Sequence, residues 1–207
     1  MAVTGVKSLT NLLQQGSVWR GSKSTLADAA VLSSGFCELD ELIGGGWPKG
    51  ALVEIISEAS LGLSLLIPVL LKLSKQPYWL AWINSPYIPY APRLQSLGID
   101  TRKILLLRKL ADEQALWAAE QALQSGNCKV VMLWPSKLNT AQIRRLQLAA
   151  KTGDCLGILF RPRSARAVAS VAALRLQVEA DEQALLLRLL KRRGGWSANT
   201  RLRICVG

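Results

Sequence analysis

The sequence contains no histidine among its 207 residues. Neither a Ser-His-Asp nor a Cys-His catalytic arrangement can therefore form, and the most frequent general base of enzymes is missing. The four cysteines are scattered and form no Cys-x-x-Cys pair. Because zinc sites need closely spaced cysteine and histidine ligands, we expect no metal site and interpret the cysteines as small buried side chains of a protein in a reducing cytoplasm.

Long apolar runs are also missing. The longest one, residues 61–73, is interrupted by Pro68 and Lys72 and is too short to cross a bilayer. The N-terminus has no basic segment followed by a long apolar stretch, so the sequence predicts no signal peptide and a cytoplasmic location. Half of the residues are nevertheless hydrophobic, which predicts one folded domain with a sizeable core.

Positive charge is in excess. The net charge is +12, and residues 161–207 alone hold ten lysines and arginines against three acidic residues. Such an excess predicts an acidic partner, whether nucleic acid, an anionic surface or an acidic protein. The alternative is a basic surface that contacts only solvent.

Short apolar segments alternate with helical ones after an N-terminal arm, residues 1–30. We predict strands at 51–56, 78–83, 104–107, 129–134 and 155–160, with helices at 60–74, 89–97, 112–124 and 140–151. Apolar strands that alternate with helices are typical of a buried, mostly parallel sheet, so the expected fold class is α/β. Three further strands, at 172–178, 184–190 and 201–206, predict an antiparallel C-terminal extension.

Residues 32–66 read LSSGFCELDELIGGGWPKGALVEIISEASLGLSLL, and this segment resembles the opening of a RecA-type nucleotide-binding domain. The resemblance extends over residues 31–207 and implies a RecA-like sheet flanked by helices. A working P-loop at this place needs a first glycine and a phosphate-binding lysine. Ser57 and Leu63 stand at those two positions, and only Gly62 and Ser64 are retained.

Two further positions have lost nucleotide chemistry if the resemblance holds. The strand that would carry a metal-binding carboxylate ends in Trp134, and Pro86 stands where RecA-type proteins have a catalytic glutamate. We therefore expect no enzyme activity, no catalytic residue and no cofactor, and the alternative of a recombinase-type ATPase is disfavoured by Leu63. The predicted degenerate nucleotide site comprises Ser57, Gly62, Leu63, Ser64, Pro86 and Trp134.

Five segments resemble more closely the ImuA family, the RecA-like proteins of SOS-induced mutagenesis. They are GGGWPKG at 44–50, PYIPYAP at 86–92, LWAAEQAL at 116–123, RRLQLAA at 144–150 and LLKRRGG at 189–195. The resemblance implies a non-catalytic adaptor in translesion DNA synthesis. Its implied partners are an ImuB-like Y-family polymerase homologue, an error-prone C-family DNA polymerase, RecA and DNA.

The middle of the chain also resembles the SulA division inhibitors. The similar segments are LLIPVL at 65–70, the tryptophan-rich strand 78–83 and GILFRP at 157–162. This alternative implies a protein that binds the tubulin-like division protein FtsZ and blocks its polymerisation. We rank ImuA first, because we expect SulA proteins to lack the GGGWPKG segment and the basic C-terminal hairpin.

Two basic clusters are candidate contact sites. Arg161, Arg163 and Arg166 follow a buried strand, where the RecA resemblance places a mobile DNA-contacting loop, and suit phosphate contacts. The second cluster lies in and after the expected turn at 191–195. Its members are Lys191, Arg192, Arg193, Arg201 and Arg203. We expect both clusters to bind DNA or an acidic partner, and the alternative is that they face only solvent.

Three tryptophans are candidate anchors of a protein interface. Trp19 lies in the arm, and Trp47 and Trp196 lie in expected turns, with Tyr87 and Tyr90 as further aromatic candidates near Trp47. Exposed aromatic side chains often contribute most of the binding energy of an interface. We therefore expect Trp47 and Trp196 to be exposed, and we interpret Trp19 as an apolar anchor of the arm, because a large aromatic side chain is costly to leave in water.

Overall fold

Ten strands and five α-helices form the part of the chain that the computed structural model describes, residues 31–58, 61–194 and 200–205. The predicted arm, which includes Trp19, lies outside the described residues, and so does Trp196. The strands are β1 Val31–Leu32, β2 Trp47–Pro48, β3 Ala51–Ile56, β4 Trp79–Ile83, β5 Ile104–Leu107, β6 Cys128–Leu133, β7 Leu156–Arg161, β8 Leu174–Asp181, β9 Ala184–Arg192 and β10 Arg201–Cys205. The helices are α1 Cys37–Ile43, α2 Ile67–Ser74, α3 Ala91–Ser96, α4 Asp112–Gln124 and α5 Thr140–Thr152.

Eight of these strands form one sheet in the order β10-β9-β8-β3-β7-β6-β4-β5. The strands from β8 to β5 are mutually parallel, whereas β9 pairs antiparallel with β8 and β10 antiparallel with β9. The mixed α/β architecture with a mostly parallel sheet is therefore confirmed. Of the three strands predicted as an antiparallel C-terminal extension, β9 and β10 run antiparallel to their neighbours, whereas β8 is parallel to β3. The carboxyl ends of these six parallel strands, which include β3 to β7, lie at the same edge of the sheet.

Helices cover both faces of this sheet, which explains why its strands are apolar on both sides. Every residue of β3 and of β7 is buried. The first face packs against α1, α2 and α3, through side chains such as Leu39, Val69 and Leu94. The opposite face packs against α4 and α5, through Ala119 and Leu146 among others.

The helix predicted at 60–74 is divided in two. A 3₁₀ turn spans Leu63–Leu66, and α2 begins at Ile67 with Pro68 in its first turn. Proline is tolerated there because the first amides of a helix have no intrahelical acceptor. Pro68 therefore sets the start of α2. No helix of the described ranges is long and apolar enough to cross a membrane.

A small unit that the sequence did not predict precedes the sheet. Helix α1 ends at Gly44 in the left-handed conformation, and the chain then returns so that β2 pairs antiparallel with β1. Gly46 has a φ of 139°, and a Cβ atom there would lie 2.4 Å from the carbonyl oxygen of Leu32. A glycine is therefore required at position 46 by this close backbone approach.

The four free cysteines differ in their exposure to solvent. Cys128 and Cys155 are buried, as expected, whereas Cys37 and Cys205 are exposed, so that expectation is wrong for half of them. Burial raises the pKa of the Cys155 thiol, and of Cys128 to a smaller extent, because the thiolate would lose its hydration.

Candidate functional site

The carboxyl ends of β3, β4, β5, β6 and β7 surround a cleft of about 520 Å³. In open α/β sheets, ligands bind in the crevice outside the carboxyl ends of the strands. The cleft is lined by the residues that follow these strands, namely Ser57, Asn84, Ser85, Pro86, Arg108, Lys109, Asp112, Trp134, Pro135, Ser136, Phe160, Arg161 and Pro162.

The cleft contains half of the predicted degenerate nucleotide site. Ser57, Pro86 and Trp134 line it. Gly62, Leu63 and Ser64 do not, because they form the turn that leads into α2. Leu63 packs against the hydrophobic core, and Gly62 has a φ of 97° and lies closely over Ile55 and Val178. The turn is therefore held by apolar packing.

Two aromatic rings form one wall of the cleft. Trp134 stacks on Phe160, with ring centroids 4.5 Å apart and planes 3° from parallel. The ring of Trp134 also lies 6.2 Å from that of Trp82, which is buried in the sheet. This wall is rigid and apolar, since stacked rings that continue into a packed core have little freedom to move.

Asn84 joins two of the loops that border the cleft. Its amide nitrogen donates to the carbonyl oxygen of Leu110 at 2.9 Å, and its side-chain oxygen accepts from the Leu110 N–H at 3.0 Å. Asn84 and Lys109 both have left-handed backbones, with φ of 54° and 57°. Non-glycine residues in this conformation are held by their surroundings and are frequent at functional sites.

The cleft also contains polar groups that are buried without a partner. The hydroxyl of Ser57 and the Nε of Arg108 have no hydrogen-bond partner among the described residues. Asp112 is the carboxylate of the cleft, and it accepts a hydrogen bond from the hydroxyl of Ser136. Lys109 is exposed at the rim. The cleft therefore offers donors and positive charge to a ligand.

Arg161 does not lie in a mobile DNA-contacting loop, and the prediction for this residue is wrong. It is the last residue of β7, only 7% exposed, and it pairs with the fully buried Glu54 at 3.2 Å. Arg175 binds the other oxygen of Glu54 at 2.6 Å, and the hydroxyl of Ser170 donates to Glu54 at 2.7 Å. The guanidinium of Arg161 therefore neutralises a buried carboxylate and is not available to phosphate.

The remaining basic residues occupy different surroundings. Arg163 pairs with Glu179, and Arg203 pairs with Asp181 at 2.7 Å. Arg166 and Arg201 come together at the border of a separate cavity of about 250 Å³. Arg193 is exposed. Of the two basic stretches, Arg163 and Arg203 are therefore paired with carboxylates, whereas Arg166 and Arg201 meet at one cavity.

Lys191 and Arg192 belong to β9, where we expected a turn. The ammonium of Lys191 donates to the carbonyl oxygen of Ser170 at 2.6 Å, and burial lowers its pKa. Arg192 donates to the carbonyl oxygen of Leu42 at 3.4 Å. Both side chains are half-buried and hold the C-terminal strands against the rest of the fold.

Trp47 is not exposed, and its expected role as an interface anchor is wrong. Its side chain is 0% exposed and packs in the core beneath α1, because β2 pairs with β1 and turns the indole inward. Tyr87 and Tyr90 are exposed, together with Ile88, in the loop between β4 and α3. Trp117 on α4 is exposed as well, although the sequence interpretation did not select it.

Three residues of the cleft were also missed. Asn84, Arg108 and Lys109 directly follow β4 and β5 and could have been found by collecting the polar residues at the carboxyl ends of the predicted strands.

A family model described as "Cell division inhibitor SulA" matches residues 51–157, which is just over half of the chain. The chain belongs to the SulA family. Among curated relatives, the SulA of Edwardsiella piscicida is 38% identical over 109 residues, covering 52% of this chain and 65% of that protein. The SulA of Yersinia pestis (strain Pestoides F) is 34% identical over 114 residues, covering 55% of this chain and 68% of that protein.

A solved structure of SulA from Pseudomonas aeruginosa is 28% identical, with a TM-score of 0.44, and covers 53% of this chain and 97% of that one.

The family match corrects the first-ranked interpretation. Assignment to the ImuA family is wrong, and with it the role in translesion synthesis and the partners ImuB-like polymerase homologue, C-family polymerase and RecA. The family match and the curated relatives give no support to the description as a RecA-like pseudo-ATPase either. The family is described as a cell division inhibitor.

The segments that had favoured ImuA explain the error. Those at 86–92, 116–123 and 144–150 lie inside the stretch that matches SulA, so they do not distinguish the two families. The GGGWPKG segment and the basic hairpin lie outside it. Both have structural roles, since Gly46 permits a close backbone approach and Lys191 and Arg192 hold β9 in place.

Proposed function

We propose that this protein is a SulA-like inhibitor of cell division, made in the SOS response, that binds FtsZ in the cytoplasm and prevents its polymerisation. The observation that carries the proposal is the match of residues 51–157 to the SulA family. This segment contains β3 to β6 with the loops that follow them, and it ends at the start of β7.

An exposed apolar loop supports a function in protein binding. Tyr87, Ile88 and Tyr90 are 65%, 68% and 72% exposed, although they lie within four residues of one another. Large aromatic and aliphatic side chains that stay exposed together are typical of protein interfaces, where they fill pockets of the partner. We propose that this loop, residues 87–90, contacts FtsZ.

We also propose that this protein is not an enzyme, and we propose a structural reason. The strand β3, the turn that follows it and α2 support a RecA-like core whose turn has lost its nucleotide-binding residues. The support is that Leu63 packs against the core at the place of the phosphate-binding lysine.

Three basic residues of the C-terminal part retain a secondary role in this proposal. Arg166, Arg193 and Arg201 are exposed. Their positive charge would attract an acidic partner from a distance and accelerate its association. This role requires no sequence-specific contact with DNA bases.

The proposal is tested by sedimentation of FtsZ polymers formed with GTP. The purified protein at equimolar concentration is expected to reduce the polymer that pellets, in proportion to the complex formed. The double variant Tyr87→Ser, Ile88→Ser should inhibit at least about tenfold less, since one hot-spot residue contributes about 2 kcal/mol or more. Trp117→Ser, an equally exposed aromatic on α4, is the control. Unchanged FtsZ polymerisation with folded wild-type protein in molar excess would contradict the proposed function.

A further inference from the structure

We propose that the cleft at the carboxyl ends of β3 to β7 binds an acidic side chain of the protein partner, with Arg108 and Ser57 as the groups that hold its carboxylate. The proposal rests on the proposed function for the identity of that partner.

The first argument is that the two groups are buried without a partner. Ser57 is 6% exposed, and neither its hydroxyl nor the Nε of Arg108 has a hydrogen-bond partner among the residues described. Leaving such a group unsatisfied costs about 1–3 kcal/mol, and more than nine in ten buried polar groups are satisfied in native proteins. Two unsatisfied groups that line one cleft indicate that a ligand completes them.

The second argument is the charge of that ligand. Arg108 and Lys109 are cations with no ion pair to any carboxylate in the described ranges, whereas Arg161 is already paired with Glu54. The carboxylate of the cleft, Asp112, accepts a hydrogen bond from Ser136. A guanidinium and a hydroxyl that both donate are suited to a carboxylate, which can accept from both.

The third argument distinguishes a protein side chain from a free anion. The cleft is much larger than a small anion, and one of its walls is the stacked pair Trp134 and Phe160. Its rim continues from Pro86 into the exposed loop 87–90. Apolar walls with a few convergent donors suit the side chain and neighbouring backbone of a peptide segment, because the apolar part is buried while the charge is bound.

The fourth argument is that the site is ordered before binding. Asn84 binds both backbone groups of Leu110, and Lys109 between Arg108 and Leu110 is held in the left-handed conformation. Strained residues of this kind persist where the surrounding structure fixes them. Less entropy is then lost when the ligand binds.

The experiment measures binding of two fluorescein-labelled peptides by anisotropy, one with three glutamates and one with glutamines in their place. The wild-type protein should bind the glutamate peptide saturably and the glutamine peptide at least about tenfold more weakly. Arg108→Gln should weaken binding of the glutamate peptide about tenfold, and Ser57→Ala about threefold, as expected for losing a charged and a neutral hydrogen bond. Arg144→Gln, which makes the same charge change on the exposed face of α5, should weaken it less than about twofold.

Three results would overturn the proposal. Arg144→Gln could weaken binding as much as Arg108→Gln, which would show only non-specific attraction to a basic protein. The two peptides could bind equally, or inorganic phosphate could displace the glutamate peptide at lower concentration than acetate does, which would indicate a free phosphate ligand. Circular dichroism monitors folding, and if Arg108→Gln does not fold, the Ser57→Ala result decides.

FtsZ sedimentation separates this proposal from the proposed function. If the wild-type protein and Arg108→Gln inhibit FtsZ polymerisation equally, the cleft is not the site that binds the partner, but the proposed function as a division inhibitor still stands. No inhibition by the wild-type protein overturns the proposed function, whatever the peptides show.

Discussion

Replacing Glu54 by glutamine is expected to lower the free energy of unfolding by about 3–5 kcal/mol, because two buried guanidinium groups lose their counter-charge. Glu54 is 0% exposed and accepts from Arg161 at 3.2 Å and from Arg175 at 2.6 Å. Glutamine keeps the volume of the side chain, but its amide offers only one accepting oxygen and turns N–H groups toward one of the arginines.

Burial of the three partners determines this magnitude. Ion pairs on the surface contribute about 0–1 kcal/mol, because water solvates either charge once the pair is broken. Here the side chains of Arg161 and Arg175 are 7% and 9% exposed, so water cannot replace the carboxylate. The loss is a large part of the about 5–15 kcal/mol that stabilises a typical domain, yet the variant should still fold.

Urea unfolding, followed by tryptophan fluorescence and by circular dichroism, measures the loss. Asp100→Asn is the control, because it breaks an ion pair whose arginine, Arg102, is 89% exposed, while the backbone contact of residue 100 to the amide of residue 102 can remain. The control should leave the midpoint nearly unchanged. If Glu54→Gln loses no more stability than Asp100→Asn, burial does not set the strength of the network and the reasoning is refuted.

Three further predictions concern Gly46 and the buried thiol of Cys155. Gly46 and Gly126 both have a positive φ, so alanine at either position should cost about 1–2 kcal/mol of stability. Only at position 46 would the added Cβ atom also clash with Leu32, so Gly46→Ala should destabilise the fold at least twice as much as Gly126→Ala in urea unfolding. Equal losses would contradict the close approach. In the native protein, Cys155 should be alkylated far more slowly than the exposed Cys37, because burial raises the pKa of the Cys155 thiol. Mass spectrometry follows the two rates, and equal rates would place Cys155 at the surface. A thiol whose pKa is raised by folding stabilises the native state below the unfolded value of about 8.5, so stability should fall as the pH rises above it.

The main elements of the fold could be predicted from the sequence, because each rests on a local pattern. Helix α4 was predicted with its observed bounds, since Asp112 opens it and Ser125-Gly126 follows it. The parallel strands β3 to β7 were each found within one residue, because buried strands are continuous apolar runs, whereas β8 begins two and ends three residues later than predicted.

The unit formed by β1, α1 and β2 was missed, because its strands have two residues each and their pairing joins Val31 to Pro48 and Leu32 to Trp47, across the whole of α1 and the glycine run. Burial of Trp47 depends on that pairing, so no pattern within the glycine-rich segment could indicate it. Exposure of Tyr87 and Ile88 depends likewise on what the rest of the chain leaves uncovered.

Arginine at the end of a parallel strand illustrates why the candidate site could be predicted only in part. Arg161 ends β7 and Arg108 follows β5, so the two arginines have the same local setting in the sequence. Only Arg161 was predicted to bind a ligand. Arg161 is neutralised by Glu54, which lies 107 positions earlier in the chain, whereas no described carboxylate reaches Arg108. The number of uncompensated cations at the cleft is therefore a property of the tertiary fold. The net charge of +12 predicts that an acidic partner is attracted, and the pairing of individual arginines decides where its carboxylate can bind.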